Sequence, residues 1–253
     1  MMIGCRELVA YCDSLLNTAA FADYAPNGLQ VEGRAEVRRI VSGVTASQAL
    51  IDTAIGQGAD TVLVHHGYFW KSEDARVIGM KRNRLAALLK HDINLIAYHL
   101  PLDGHPELGN NAQWARALGL GDTRGFIGKP GAEIGVRGVL KDAPSGGELK
   151  RMLELILGRP VLHVAGTERP VRALGLCSGG AQGYIGEAAE AGLDAYLTGE
   201  VSEQTVHIAR EMGIHFYACG HHATERFGVR ALGEHLAGRF GIEHRFIDID
   251  NPA

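Results

Sequence analysis

Residues 58–67, GADTVLVHHG, and residues 192–200, GLDAYLTGE, decide how this chain is read. Each is a short apolar run entered through an aspartate and left through polar residues, the pattern of a buried strand that ends at a loop. Aligned, they set Asp60 against Asp194 and His66 against Glu200, each pair 134 positions apart (194 − 60 and 200 − 66). We read this as a degenerate internal duplication. The flanks extend it. Residues 39–44 read as a strand, Thr45 and Ser47 as helix caps, and QALIDTAIGQG as a helix that stops at Gly58. A helix over about 82–91 leads to a strand over 94–99, and QTVHIAREMGIHFYACGH repeats the helix and strand of RLAALLKHDINLIAYH. Residues 171–177 form a further strand, after which SGGAQGYIGEAAEAG turns into a helix. Alternating strands and helices predict an α/β fold of two similar lobes with largely parallel sheets, right-handed crossovers and helices on the sheet faces.

Outside the repeat, residues 7–17 read as an amphipathic helix followed by a turn-rich stretch containing Pro26, Asn27 and Gly28. Between the halves lies a strand, helix and strand over 134–140, 148–157 and 161–165. Gly128, Pro130 and Gly131 mark a boundary between lobes of about 1–128 and 129–253, and HRFIDID reads as a final strand. The 253 residues, 46% apolar and 21% charged, exclude a disordered chain and a staple-dependent mini-protein. A net charge of −4 does not favour nucleic acid or an anionic membrane. No stretch reaches the roughly 18 consecutive apolar residues of a membrane span. The first residues lack a basic segment ahead of a long apolar run, so a cytoplasmic location is expected. Cys5, Cys12, Cys177 and Cys219 form no CxxC pair, which suits free thiols in a reducing compartment.

Histidine is the unusual residue. Six of the twelve fall in three short stretches: His65 with His66, His99 with His105, and His221 with His222. Each stretch follows a strand of the parallel pattern, at the carboxyl end where open α/β sheets bind ligands. Adjacent His65 and His66 point to opposite faces of a regular strand, so both reach one site only if the chain turns there, which Gly67 permits. Pro101 places Asp103 on a loop after its strand. His221 and Glu225, four apart, share one face of a helix running to about Leu236 and form a two-point chelate. Taken singly, each is an ordinary feature: a core histidine, a turn, a surface pair at a helix start. Together, imidazoles and carboxylates without thiolates suit a divalent metal of borderline-hard character, among them zinc, manganese, iron, cobalt and nickel. The ligand count exceeds one ion's need and points to two. Glu200 reads as a general base, a carboxylate that orients a ligand, or a helix cap. Residues 178–183, SGGAQG, match no phosphate-binding motif and read as a tight packing turn.

Asn27-Gly28-Leu29-Gln30-Val31, VLVHHG, YHLPLDGHPELGNN, YLTGE, GHHATERFG and FIDIDNPA together resemble the YbgI or Nif-three-like family, the type-two GTP cyclohydrolase I homologs, over essentially the whole chain. The resemblance implies one family unit over 1–253, a metal site in the cleft of a two-lobed fold, and a toroidal homohexamer built as a trimer of dimers. By matching motifs, His65 and Asp103 hold one ion, His66 and His221 the other, and Glu225 bridges them. His99 lines the pocket as a nearby or alternate ligand. The function this implies is a dinuclear metal-dependent hydrolase, resembling GTP cyclohydrolase 1 type 2 homologs, in which the ions activate water for attack on a nucleotide-like or small cyclic amide substrate. The alternative is a metal-binding regulatory, scaffold or metal-delivery protein without turnover.

Overall fold

The apolar run after Asp60 is a strand, β5 (Thr61–His66), with Val62, Leu63 and Val64 at most 1% exposed because apolar layers cover both of its faces. The computed structural model describes residues 1–253, which divide into two compact units: Met1–Leu102 with Gly228–Asp250, and Asp103–Phe227 with Asn251–Ala253. In the first unit β5 is the centre of a five-stranded sheet. Its order is β13 (Glu243–Phe246), β4 (Arg39–Thr45), β5, β6 (Asn94–Ala97), β2 (Gly28–Val31), parallel except for the β2 edge. A two-stranded ribbon of β1 (Ile3–Gly4) and β3 (Glu36–Val37) stands apart from this sheet, with α1 (Cys5–Leu15) following β1. Helix α2 (Gln48–Gly56) starts as expected, the Ser47 side chain accepting from the Leu50 N–H. Leu50, Ile51 and Ala54 of α2, with Leu85 and Leu88 of α3 (Gly79–Lys90), pack on Val41, Val62, Val64 and Leu95.

The second unit repeats the parallel core and adds antiparallel strands to it. Its sheet runs β7 (Gly121–Lys129), β8 (Ala132–Val139), β10 (Ala173–Leu176), β11 (Ala195–Thr198), β12 (His215–Ala218), β9 (Leu162–Val164). Only β10, β11 and β12 pair in parallel, so the expectation of largely parallel sheets holds for the first unit and fails for the second. The alternation of strand side chains sorts Leu174, Leu176, Leu197 and Tyr217 to one core and Cys177, Tyr196 and Phe216 to the other. The first core is closed by α5 (Asn110–Leu118) and α6 (Gly146–Leu157) through Trp114, Leu149 and Leu153, and the second by α7 (Ile185–Glu190) and α8 (Glu203–Met212). Asp60 and Asp194 keep the same structural task. Each carboxylate accepts two main-chain N–H groups at the start of the preceding strand, from Arg38 and Arg39 in one unit and from Arg172 and Ala173 in the other.

Three further expectations are corrected. Gly128, Pro130 and Gly131 belong to the β7–β8 hairpin, where Lys129 pairs with Ala132, so the division of the chain does not fall there. Asp103 lies in a short helix, α4 (Leu100–Gly104), because a proline near a helix start gives up an N–H that has no intrahelical partner. The helix after Gly220 is two: α9 (His221–Thr224) closes when the Glu225 N–H turns back to the His222 carbonyl, and α10 (Arg226–Phe240) follows.

Candidate metal centre

In the first unit the carboxyl ends of β5 and β6 bring three imidazoles together. His65 and His66 have ring centroids 4.6 Å apart despite being neighbours in sequence, and His99 lies 5.0 Å from His65 and 5.6 Å from His66. One nitrogen of each lies within 4.8 Å of the others. His65 is fully buried and its Nδ1 lies 2.9 Å from the Tyr98 carbonyl oxygen. That oxygen only accepts, so Nδ1 carries the hydrogen and Nε2 presents its lone pair. His66 Nδ1 lies 3.3 Å from Thr45 Oγ1. His99 Nδ1 lies 2.9 Å from Asp23 Oδ1. Burial works against the Asp23 carboxylate, but hydrogen bonds from His99, Asn27 and the Leu100 N–H overcome it and hold its pKa down at about 2. Trp70 edges onto His66 and His99 at 5.8 and 5.0 Å, and half-exposed Tyr24 onto His99 at 5.0 Å.

The second unit supplies mainly carboxylates, again from the ends of parallel strands. His221, three residues past β12, has Nδ1 2.7 Å from Glu200 Oε1 and Nε2 3.1 Å from Glu225 Oε1. Burial lowers the affinity of His221 for a proton, but the two carboxylates at its nitrogens reverse that and raise its pKa to about 9. Glu225 is 3% exposed, whereas the Glu200 side chain is 46% exposed. Asp103 is buried, its Oδ1 accepting from Asn110 Nδ2 at 2.9 Å and Ser178 Oγ at 3.0 Å.

The turn after β10 ties these groups together. Ser178 reaches Asp103 through its hydroxyl, and its N–H donates to Asn111 Oδ1. The Gly179 N–H donates to Thr224 Oγ1, beside Glu225, and the Ala181 N–H to Thr198 Oγ1. Three N–H groups of the turn, those of Ser178, Gly179 and Ala181, are thus committed to side chains. Gly179, at φ +66, lies so close to the site that a Cβ there would overlap Glu225 Oε1 and sit 3.2 Å from His221 Nε2.

The donors fit a divalent ion. His65, His99 and His221 have Nδ1 against a carbonyl or carboxylate oxygen, which leaves Nε2 as the ligand atom and is the usual support of a metal-binding histidine, and His66 has Nδ1 beside a hydroxyl. The ligand set holds nitrogen and oxygen donors only. Cys177 stands near Asp103 and Glu225, but burial first, and then those two carboxylates, keep its thiol protonated. Among the sequence candidates, His65, His66 and His99 are gathered in one unit and His221, Glu225 and Glu200 in the other, with Asp103 anchored beside Ser178. His105 instead caps its own loop, Nδ1 accepting from the Glu107 and Leu108 N–H groups. Sequence reasoning missed Asp23, Thr45, Asn110 and Asn111. A carboxylate and an amide four apart, Asp23 and Asn27, were the available signal.

The model of the Duf34/NIF3 (NGG1p interacting factor 3) family matches residues 3–252. A GTP cyclohydrolase 1 type 2 homolog of Pseudomonas aeruginosa is 58% identical over 256 residues, covering 100% of both chains. One from Escherichia coli K12 is 53% identical over 251 residues, covering 98% of each. Among solved structures, the protein ybgI, described as of unknown function, has a TM-score of 0.95 at 53% identity, covering 99% of this chain and 100% of its own. A protein from Thermus thermophilus has a TM-score of 0.91 at 34% identity, with the same coverage of 99% and 100%. With donors of this kind at equivalent strand ends and matches that span the chain, it belongs to the Duf34/NIF3 family.

Proposed function

We propose that the chain is a dinuclear metal-dependent hydrolase acting on a nucleotide-like or small cyclic amide substrate. The observation that carries this reading is the tethering of Nδ1 in His65, His66, His99 and His221, which aims four Nε2 atoms as ligands without exposing a thiolate. His65 and Asp103 would hold one ion, His66 and His221 the other, with Glu225 as the bridging carboxylate and His99 as a nearby ligand. When bound, divalent ions supply Lewis acidity and lower the pKa of water. The residues around them position and neutralise. Glu200 orients His221 through Nδ1, Asp23 does the same for His99, and Asn110 with Ser178 fixes one oxygen of Asp103. We therefore assign Glu200 to orientation rather than to proton transfer.

The experiment is a screen of metal-reconstituted protein against nucleotides and small cyclic amides, with metal analysis alongside. Turnover that needs metal and disappears in Asp103→Ala supports the hydrolase. About two ions per chain without turnover above the Asp103→Ala background supports the second reading, a metal-binding or metal-delivery protein. One observation favours that alternative: His65, His66 and His99 form a three-imidazole set within one unit, a seat from which an ion could be passed on. We also propose the toroidal hexamer of the family resemblance, to be checked by analytical ultracentrifugation with and without chelator. No helix is long and apolar enough to cross a membrane. The four buried free cysteines support placing the protein in the cytoplasm.

A further inference from the structure

Arg159 follows the end of α6, past Gly158 in the left-handed conformation, and reaches across to the residue preceding His221. Its guanidinium packs so closely on Gly220 that a Cβ there would overlap it. Nη1 and Nη2 donate, at 2.9 and 2.8 Å, to main-chain oxygens of Ala253 and Pro252. The guanidinium fork thus holds two oxygens side by side, as it would hold a carboxylate or a phosphate. The cavity around it, about 630 Å³, belongs to the second unit and is lined by Arg159, Leu162, Val201, Gly220 and Glu200, the carboxylate that orients His221. Leu162 and Val201 are 46% and 39% exposed and form an apolar wall.

We propose that this cavity is the substrate's anion subsite, with Arg159 binding a carboxylate or phosphate group in bidentate fashion in place of the main-chain oxygens of Pro252 and Ala253. The inference deepens the reading of the metal centre and rests on it for the word substrate. Charge narrows the ligand further. Glu200 repels a second anionic group and accepts from an N–H or O–H, and the wall takes a short apolar segment. The ligand class is a small organic acid or phosphate ester with a hydrogen-bond donor a few bonds from its charge, the acid end one residue's span from His221.

The test is calorimetric titration of the metal-loaded full chain with N-acetylglycine, a carboxylate with an amide N–H, and with inorganic phosphate. Saturable binding of one probe is expected. It should weaken at least tenfold in Arg159→Gln and recover in part in Arg159→Lys, which restores the charge without the fork, while zinc uptake stays unchanged. The probe that saturates identifies the anion. If neither saturates, or if both Arg159 variants bind as the parent does because the anion sits on the metal alone, the subsite is refuted. The readout is binding, so a failed turnover screen leaves the subsite standing, and loss of the subsite leaves the metal centre standing.

Discussion

Gly179→Ala tests the candidate centre without replacing a ligand. Gly179 has φ +66, and an added Cβ would overlap Glu225 Oε1 while standing 3.2 Å from His221 Nε2 and 3.3 Å from Glu225 Cδ. Two costs follow and they can be separated. The left-handed backbone costs an L-residue about 1–2 kcal/mol. The overlap is additional, and because the Gly179 N–H is bound to Thr224 and its carbonyl accepts from the Thr198 hydroxyl, the backbone cannot easily yield. The carboxylate has to retreat by more than a few tenths of an ångström, whereas metal–ligand distances tolerate about 0.2 Å. Gly192→Ala is the control: φ is +71 there and nothing lies within 4 Å of the added Cβ. In chelator-treated protein Gly192→Ala should lose about 1–2 kcal/mol of stability and Gly179→Ala more than that, read by urea unfolding. Only Gly179→Ala should also lose zinc affinity, by about tenfold or more, in competition titrations with a chromophoric chelator. Equal zinc affinity in the two variants would refute the placement of Glu225 as a ligand.

Three further outcomes are expected. Glu225→Gln keeps the shape but removes charge beside the metal, so it should lower metal occupancy far more than Glu234→Gln, whose exposed carboxylate pairs only with Arg230; equal small losses would demote Glu225 to a structural residue. Trp70 touches His66 and His99 whereas Trp114 is buried in the core of the second unit, so cobalt or nickel should quench fluorescence in the parent and much less in Trp70→Phe; an identical quench would show that the metal binds elsewhere. The His163 imidazole, 3.0 Å from His215, is held down to about 4 by burial and by the neighbouring His215 and Lys150. Its folded pKa lies below the unfolded value of about 6.5, so its contribution to stability is intact above pH 6.5, falls as the pH drops towards 4, and changes no further below that. Chelator-treated His163→Asn should show a shallower loss of stability across that window than the parent, and parallel curves would remove His163 from the account.

The elements legible in the sequence are those whose residues answer to burial alone. Strand β5 and helix α2 were readable because Val62, Val64, Leu50 and Ile51 face apolar layers and their spacing records it. Hairpin strand β7 left no such trace, since most of its residues are exposed and carry no alternation. Helix α5 opens with Asn110 and Asn111, residues that suggest a turn, yet both are fully buried. Their side chains are spent on the site: Asn110 holds Asp103, while Asn111 accepts from the Ser178 N–H and donates to the Ile134 carbonyl. The histidines were visible because they stand next to strand ends in the chain. Their supports were not, because Asp23 meets His99 across 76 positions and no local pattern encodes that encounter.

The two aligned strands share one constraint and differ in another. Asp60 and Asp194 are the same residue with the same pair of main-chain donors, because the start of the preceding strand must be held in either unit. At the other end of the strands the constraint is chemical, and there the two differ: His66 in one, Glu200 in the other. The first unit gathers three imidazoles, and the second sets the carboxylates of Glu200 and Glu225 at the two nitrogens of His221. Neutral nitrogen donors set the preference for borderline metals over hard ones. Buried carboxylates need a compensating positive charge. In the absence of metal, the proton on His221, held up to a pKa of about 9, meets part of that need. A metal bound at His221 would displace it, which would tie affinity to pH through the residue that the two carboxylates enclose.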